Sequence, residues 1–459
     1  YAICNLFAGK LIDKLGTKKG YLWAIFVWST GAVLHAFCGI ATNGIVTGDW
    51  LVGFEGAKET LRAFKASGVA DAALTISTVS VWLFLGARCI LALGEAGNFP
   101  AAIKVTAEYF PKKDRAYATA IFNSGASVGA LIAPFTIPVL AKFFGWEMAF
   151  IVIGALGFVW MGFWVWLYKK PENERYWFNW RFKYEYDDGR TESGVGHCCV
   201  LMNKAELDYV SQDECDSVTA NVDSKSPIPS SNEPKISYLK AFSLRQTWAL
   251  VLGRFLTDGV WWFFLFWTPG YLSDQFGYKS SSGMGMALIF TLYAIVTFVS
   301  IYLCKIPTYM VDKRGMNAYE GRMVAMFIFA CFPLLALGAQ PLGTVSAWFP
   351  AILIGLAAAG HQAWSANIFS TIGDMFPKST IASVTGIAQF AAGCGSFMVN
   401  KCAGKLFTYA AEQGDAFAFC GYTGKPAGYM ILFSYCAVAY IVGWCFMKGL
   451  VPHYKKVEL

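Results

Sequence analysis

Charge is scarce in this chain of 459 residues: Asp, Glu, Lys and Arg make up 15%, against roughly 25% in an ordinary soluble domain. That shortage, with 56% hydrophobic residues and a mean hydropathy of +0.45, excludes a water-soluble protein of this size. No G-x-x-x-x-G-K-[ST] phosphate loop occurs, and no large soluble domain is present to hold one, so ATP-driven work is disfavoured. The thirteen cysteines lie mostly inside apolar runs, as Cys38, Cys89, Cys331 and Cys445 do, which is how buried free thiols behave; no disulfide framework is implied. His197, Cys198, Cys199 and Cys215 fit no zinc template, so no metal or other cofactor is expected. No nucleophile and base pair lies in the spans, which argues against an enzyme. The net charge of +7 comes from basic residues beside apolar runs, where they act as orientation signals. Nucleic acid is therefore not expected as a partner, and the lipid bilayer is.

The apolar residues come in runs near 1–12, 20–42, 74–104, 116–142, 146–168, 246–272, 283–304, 321–340, 345–370, 380–402 and 427–450, most of them about 20 residues or longer, enough to cross a hydrocarbon core of roughly 30 Å. They predict an all-α polytopic membrane protein with ten full spans and a truncated first one, preceded by a missing segment. Residues 169–242 turn charged and polar, with three prolines between Ser224 and Pro234, and read as a linker unable to bury enough apolar surface to pack. The expected organisation is a first helical bundle over 1–168, a cytoplasmic linker over 169–242, a second bundle over 243–450 and a cytoplasmic tail over 451–459. Lysines and arginines near residues 10–19, 112–115, the linker and the tail place those segments in the cytoplasm and the stretch 43–73 outside. The cell membrane, plasma or inner, is the expected location, and a monomer the expected state.

The two halves repeat. Gly94-Glu95-Ala96 through Glu108-Tyr109-Phe110-Pro111-Lys112 aligns without gaps to Gly360-His361-Gln362 through Asp374-Met375-Phe376-Pro377-Lys378 at an offset of 266, shared by Gly129 and Gly395. Asp13-Lys14-Leu15-Gly16 and Asp312-Lys313-Arg314-Gly315 are offset by 299, so 299 − 266 leaves 33 extra residues in the first half. The outer stretch 43–73 is the natural place for them. Two homologous bundles with a site between them near the midplane are the architecture expected of secondary transporters.

Gly9-Lys10-Leu11-Ile12-Asp13-Lys14-Leu15-Gly16-Thr17-Lys18-Lys19 fits G-x-x-x-D-[RK]-x-G-x-[RK]-[RK] at every fixed position. Glycine permits a tight turn, and an acid with several cations can pair with neighbouring helix ends in one conformation and release in another. Gly9, Asp13, Lys14 and Gly16 are thus read as a conformational latch, with Asp312 and Gly315 as its degenerate second copy.

Charges inside spans are costly enough to be functional by default. Arg88 and Glu95 stand seven apart, two turns along one helical face. A guanidinium offers a planar fork for a carboxylate, and a glutamate in a cavity can take up a proton; a structural ion pair is the alternative. Arg254 and Asp258, at i and i+4, have the spacing of an ordinary helix salt bridge or of a second functional pair, and Trp262 follows as a candidate for stacking on a sugar face. His361 occupies the repeat position of Glu95. Asn123 and Gln389 are related by 266, and their amides are suited to binding hydroxyls or to joining helices. His35, Lys142 and Lys401 read as snorkelling residues.

The loop motif resembles the signature of the major facilitator superfamily. Within it, the stretch Arg88-Cys89-Ile90-Leu91-Ala92-Leu93-Gly94-Glu95-Ala96-Gly97-Asn98-Phe99-Pro100-Ala101, with Phe122 to Pro134, Gly145 to Phe150, Arg254-Phe255-Leu256 and His361-Gln362-Ala363-Trp364, is similar to the anion:cation symporter family, hexuronate branch. The resemblance implies a fold of two six-helix bundles related by a pseudo-two-fold axis, here without its first helix and part of the second. It also implies that Arg88 and Glu95 are the substrate arginine and proton-linked glutamate, and that Tyr1 is a substrate-contacting tyrosine. The expected activity is proton-coupled symport of a small organic anion, a hexuronate such as glucuronate or galacturonate, by alternating access. Arg88, Tyr1, Asn123, His361, Gln389, Arg254 and Trp262 would bind substrate, and Glu95 and Asp258 would carry protons. Aldonate or aldarate symport, or a non-transporting membrane sensor of the same fold, are the alternatives.

Overall fold

The computed structural model describes residues 1–67, 69, 71–168, 178–185, 191–198, 237–280 and 282–457. The first half contains α1 (Ala2–Leu15), α2 (Thr17–Thr47), α3 (Phe54–Ala66), α4 (Ala72–Glu95), α5 (Asn98–Tyr109), α6 (Arg115–Phe144) and α7 (Trp146–Leu167). The second half contains α8 (Arg245–Phe276), α9 (Gly283–Leu303), α10 (Lys305–Arg314), α11 (Ala318–Cys331), α12 (Trp348–Met375), α13 (Ile381–Gln413) and α14 (Gly424–Leu450). Among the described residues, nine helical segments are long and apolar enough to cross a membrane. The run expected at 345–370 forms the 28-residue α12, which falls outside the nine because buried polar residues, His361, Gln362, Ser365 and Asn367 among them, interrupt its apolar surface.

The polar linker differs from expectation. Phe178–Glu185 and Thr191–Cys198 pair as antiparallel strands β1 and β2, with Phe178 opposite Cys198 and Glu185 opposite Thr191. Backbone pairing needs no apolar core, only two extended segments joined by a short connection. His197 and Cys198 end β2; Cys199, Cys215 and the proline-containing run 224–234 lie outside the described residues.

The chain divides into two compact units, one of Tyr1, Ile3–Ala101 and Ile132–Tyr168, the other of Ala2, Ala102–Leu131 and Lys169–Leu459. Residues 102–131 therefore group with the second unit and not with the bundle read as 1–168. Their polar contacts account for this: Arg115 binds Gly373 and Asp374, and Lys113 pairs with Asp312.

In the first unit α2 is central, packed against α4 and α7. Small residues let the backbones meet, as association in lipid requires: a Cβ at Gly94 would stand 2.1 Å from the Trp28 backbone nitrogen. In the second unit α8 lies against α13, and a Cβ at Gly395 would stand 2.0 Å from the Phe255 carbonyl oxygen. His35 is a core residue, not a snorkelling one. It is buried midway along α2, its Nδ1 lies 2.7 Å from the Gly31 carbonyl, and its ring stacks on Phe150.

The stretch read as outer, 43–73, is structured over its described residues. Trp50 covers Gly44, where no Cβ would fit, and the Asn43 amide donates to the Asp49 carbonyl at 2.8 Å. The amphipathic α3 packs on α2 and α4 and is joined to the start of α7 by Lys58, whose Nζ lies 3.1 Å from the buried Glu147 carboxylate. Glu55 and Glu147 beside it hold the Lys58 ammonium above its ordinary value.

Candidate functional site

The second unit holds a buried polar network built on three helices. On α8, Arg254 is 3% exposed and lies 2.6 Å from Asp258, one turn on. Its Nη1 donates to Ser365 of α12 at 2.8 Å and its Nη2 to Gln389 of α13 at 2.9 Å, while the guanidinium stacks over the Phe369 ring. Of its nitrogens, Nε is buried without an acceptor. Asp258 also accepts from the Trp262 indole at 3.2 Å and from Ser396 at 3.0 Å. A buried ion pair persists only when its remaining donors and acceptors are met, and three helices supply those partners. Ser365 and Ser396 were not apparent from the sequence, since they lie 111 and 138 residues from the side chains they bind.

His361 lies beside this network, its ring stacked on Trp261 at 5.4 Å between centroids. Its Nδ1 is 2.6 Å from the Tyr440 hydroxyl, which donates to the Thr257 carbonyl at 3.1 Å. A phenol has one proton; with that proton given to Thr257, Tyr440 accepts from Nδ1–H. The neutral imidazole therefore carries its acceptor lone pair on Nε2. Gln389, with its oxygen engaged by Arg254, keeps its amide hydrogens as donors. Asn123, on α6, is also buried.

The first unit contrasts with this. Arg88 is exposed on α4, Glu95 is half-buried, and among the described residues no ion pair or hydrogen bond joins them. Seven residues at 1.5 Å each separate them by about 10 Å along the axis. Glu95 is the last residue of α4, and a short turn at Ala96 and Gly97 precedes α5. The expected single helix is thus broken next to its acid, as helices near transporter sites commonly are. Tyr1 is 41% exposed at the start of α1.

Of the latch residues, Gly16 and Gly315 lie at helix-connecting turns, while Gly9, Asp13 and Lys14 lie within α1 and Asp312 within α10. Gly16 alone separates α1 from α2, with φ of +79°, a conformation that favours glycine. Gly9 is buried, Asp13 half-buried and Lys14 exposed. Lys18 donates to the carbonyls of Val165 and Tyr168 at 3.0 Å each, which caps the end of α7 with a cation. In the second copy, Gly315 ends α10 at φ +65°, and Asp312 meets Lys113 at 3.5 Å.

One cluster was overlooked although the repeat pointed to it. Asp374, the counterpart of Glu108, is buried between Arg322, whose Nε is 2.7 Å away, and Arg115, at 3.4 Å. Arg322 also donates to the Lys112 carbonyl, and Arg115 to those of Ala107 and Phe110. The aligned acid was visible in the sequence; its arginines, on different helices, were not.

Comparison with known proteins agrees with this architecture. The sequence profile of the Major Facilitator Superfamily matches residues 1–399. The chain is 24% identical over 408 residues to the hexuronate transporter of Escherichia coli strain K12, covering 88% of this chain and 76% of that protein. It is 23% identical over 422 residues to the D-galactonate transporter of Escherichia coli O6:H1, covering 91% and 79%. The structure of the proton:xylose symporter XylE bound to 6-bromo-6-deoxy-D-glucose superimposes with a TM-score of 0.57 at 12% identity, over 97% of this chain and 84% of that one. This membrane-spanning chain belongs to the Major Facilitator Superfamily, a family of transporters rather than enzymes.

Proposed function

We propose that the chain is a proton-coupled symporter of a sugar acid, a hexuronate such as glucuronate or galacturonate, acting by alternating access between the two homologous bundles read from the sequence. One observation carries this reading: Arg88 presents an exposed guanidinium on a membrane-spanning helix, with no ion pair or hydrogen bond to a described residue and only the more distant Glu95 carboxyl acting on it through space. A cation in a span that no acid closes on is costly, and a substrate carboxylate matches its bidentate fork. The names of the relatives, transporters of hexuronate and galactonate, support the same chemistry.

In this reading Glu95, one helix end away, takes the coupling proton, so that loading acid and proton together neutralises the helix and eases its passage between states. Tyr1 and Asn123 bind hydroxyls. In the second bundle, Gln389 offers amide donors and His361 an Nε2 acceptor to sugar hydroxyls, and Trp262 offers a ring face. Arg254 holds Gln389 in place and has Nε left for a ligand oxygen, while Asp258 competes with the substrate carboxylate for that guanidinium and serves as a second proton carrier. Gly9, Asp13 and Lys14 of α1 with the turn at Gly16, and Asp312 of α10 with the turn at Gly315, act as the latch. The protein resides as a monomer in the cell membrane with linker and tail in the cytoplasm.

The experiment is counterflow into proteoliposomes with labelled glucuronate, challenged by galacturonate, galactonate, galactarate and uncharged glucose. Inhibition by hexuronates and none by glucose is expected; inhibition by glucose equal to that by glucuronate overturns the assignment of a carboxylate substrate.

A further inference from the structure

The last four carbonyls of a helix find no partner within it, and at the end of α12 each of the four is met by a different donor. The Ile372 carbonyl accepts from the Phe376 amide at 3.0 Å, and that of Gly373 from Arg115 Nη1 at 3.0 Å. The Asp374 carbonyl accepts from the Tyr454 hydroxyl at 3.1 Å, and that of Met375 from the Val457 amide at 2.8 Å. Two of the four donors thus come from the segment after α14, to which transport chemistry gives no role.

That segment is patterned to lie there. Val451, Tyr454 and Val457 recur at every third position; the two valines are buried and Tyr454 is half-buried, while Pro452, His453, Lys455 and Lys456 are exposed. Its root is fixed on both sides, because the buried Tyr319 of α11 donates its hydroxyl to the Val451 carbonyl and Lys448 of α14 donates to that of Pro452 at 2.6 Å. The residue whose carbonyl Tyr454 holds is also the acid that lies between Arg322 and Arg115. Arg115 in turn donates to the carbonyls of Ala107, near the end of α5, and Gly373, near the end of α12. Those two positions differ by 373 − 107 = 266, the offset of the internal repeat. One guanidinium therefore caps both repeat-related helix ends, its charge complementing the negative end of each helix. All of these residues belong to one compact unit.

We infer that residues 451–457 form a strap that holds this junction shut. By fixing the Asp374 and Met375 carbonyls, the strap fixes where the Asp374 carboxylate stands, and that carboxylate keeps Arg115 across the ends of α5 and α12. With the strap removed, the last turn of α12 frays, the Asp374 carboxylate moves relative to Arg115, and the segment 102–131 parts from α12 more readily. The strap sets how often the junction opens, whichever solute the chain carries.

Hydrogen exchange of the full chain in detergent, read by mass spectrometry, tests this, since an amide exchanges with the free energy of the opening that exposes it. The reporters are Asp114, Ala118 and Phe376, whose amides bond to the carbonyls of Pro111, Asp114 and Ile372; the reference is Met286 in α9, bonded to Ser282. Tyr454→Phe, which removes one hydrogen bond, should speed exchange at the three reporters about fivefold, and deletion of residues 453–459, which removes two, about 20-fold. Met286 should exchange as in wild type in both variants. If the shortened chain does not fold, Tyr454→Phe decides alone. Faster exchange in the tail with Asp114 and Ala118 unchanged overturns the proposal. So does an equal rise at Met286, which would show a general loosening of the fold in place of a strap on one junction.

Discussion

Arg254 and Arg88 are both cations on membrane helices, and their surroundings are opposite. Arg254 is buried and tied to Asp258, Ser365 and Gln389, whereas Arg88 is exposed and makes no ion pair or hydrogen bond with a described residue. A charge removed from water must be compensated by its own protein; a charge left open is compensated by whatever arrives. The difference separates a cation whose loss first costs stability from one whose proposed role is to receive a ligand, and it predicts that the two arginines fail in different ways.

The largest effect is on stability in the second unit. Arg254→Met strands the Asp258 carboxylate, a loss of about 3–5 kcal/mol for a broken buried pair, seen as a lowered unfolding midpoint in detergent. The double variant Arg254→Met with Asp258→Leu should recover much of that loss; a double variant less stable than the single one would contradict the pairing. Next comes Arg88→Gln, where about 3 kcal/mol of charge-assisted bidentate contact corresponds to a fall of about 100-fold in kcat/KM for hexuronate uptake. Its unfolding midpoint should stay within about 0.5 kcal/mol of wild type. A destabilised Arg88→Gln would blur the distinction between the two arginines.

A smaller effect is expected at the edge of the first unit. Lys58→Met leaves Glu147 buried without its cation, at a cost of about 1–2 kcal/mol. Because Glu55 and Glu147 raise the Lys58 value in the folded protein, the pair's contribution is fully present below the ordinary lysine value of about 10.4 and is lost as pH rises through the raised one. Unfolding midpoints should therefore separate wild type from Lys58→Met equally at pH 7 and pH 9 and converge only above about pH 10. Convergence already at pH 9 would remove the ion pair from the account.

Much of the fold was legible because a bilayer demands long apolar runs and because the chain repeats itself. Gly94 and Gly395 lie in or beside the repeated stretches, and the structure gives both the close backbone contacts that only glycine allows. Gly16 and Gly315, read from the loop motif, do occupy positive-φ turns. Less was legible where partners come from distant helices. The Arg254 spacing to Asp258 suggested a pair, but Ser365, Gln389 and Ser396 as its partners follow from helix packing that no local pattern encodes. Asp374 shows the same limit, its acid visible in the repeat and its two arginines not. The break after Glu95 was hidden because Ala96, Gly97 and Asn98 interrupt neither hydropathy nor length. The strands β1 and β2 were missed because composition reports on core formation and says little about backbone pairing.

The most direct test of the central claim compares two modes of transport in proteoliposomes bearing Glu95→Gln. With a permanently neutral side chain at the end of α4, labelled glucuronate should still exchange against internal glucuronate at a rate near that of wild type, while an imposed proton gradient should produce no accumulation. Uphill accumulation at the wild-type level in that variant would contradict the assignment of the coupling proton to Glu95.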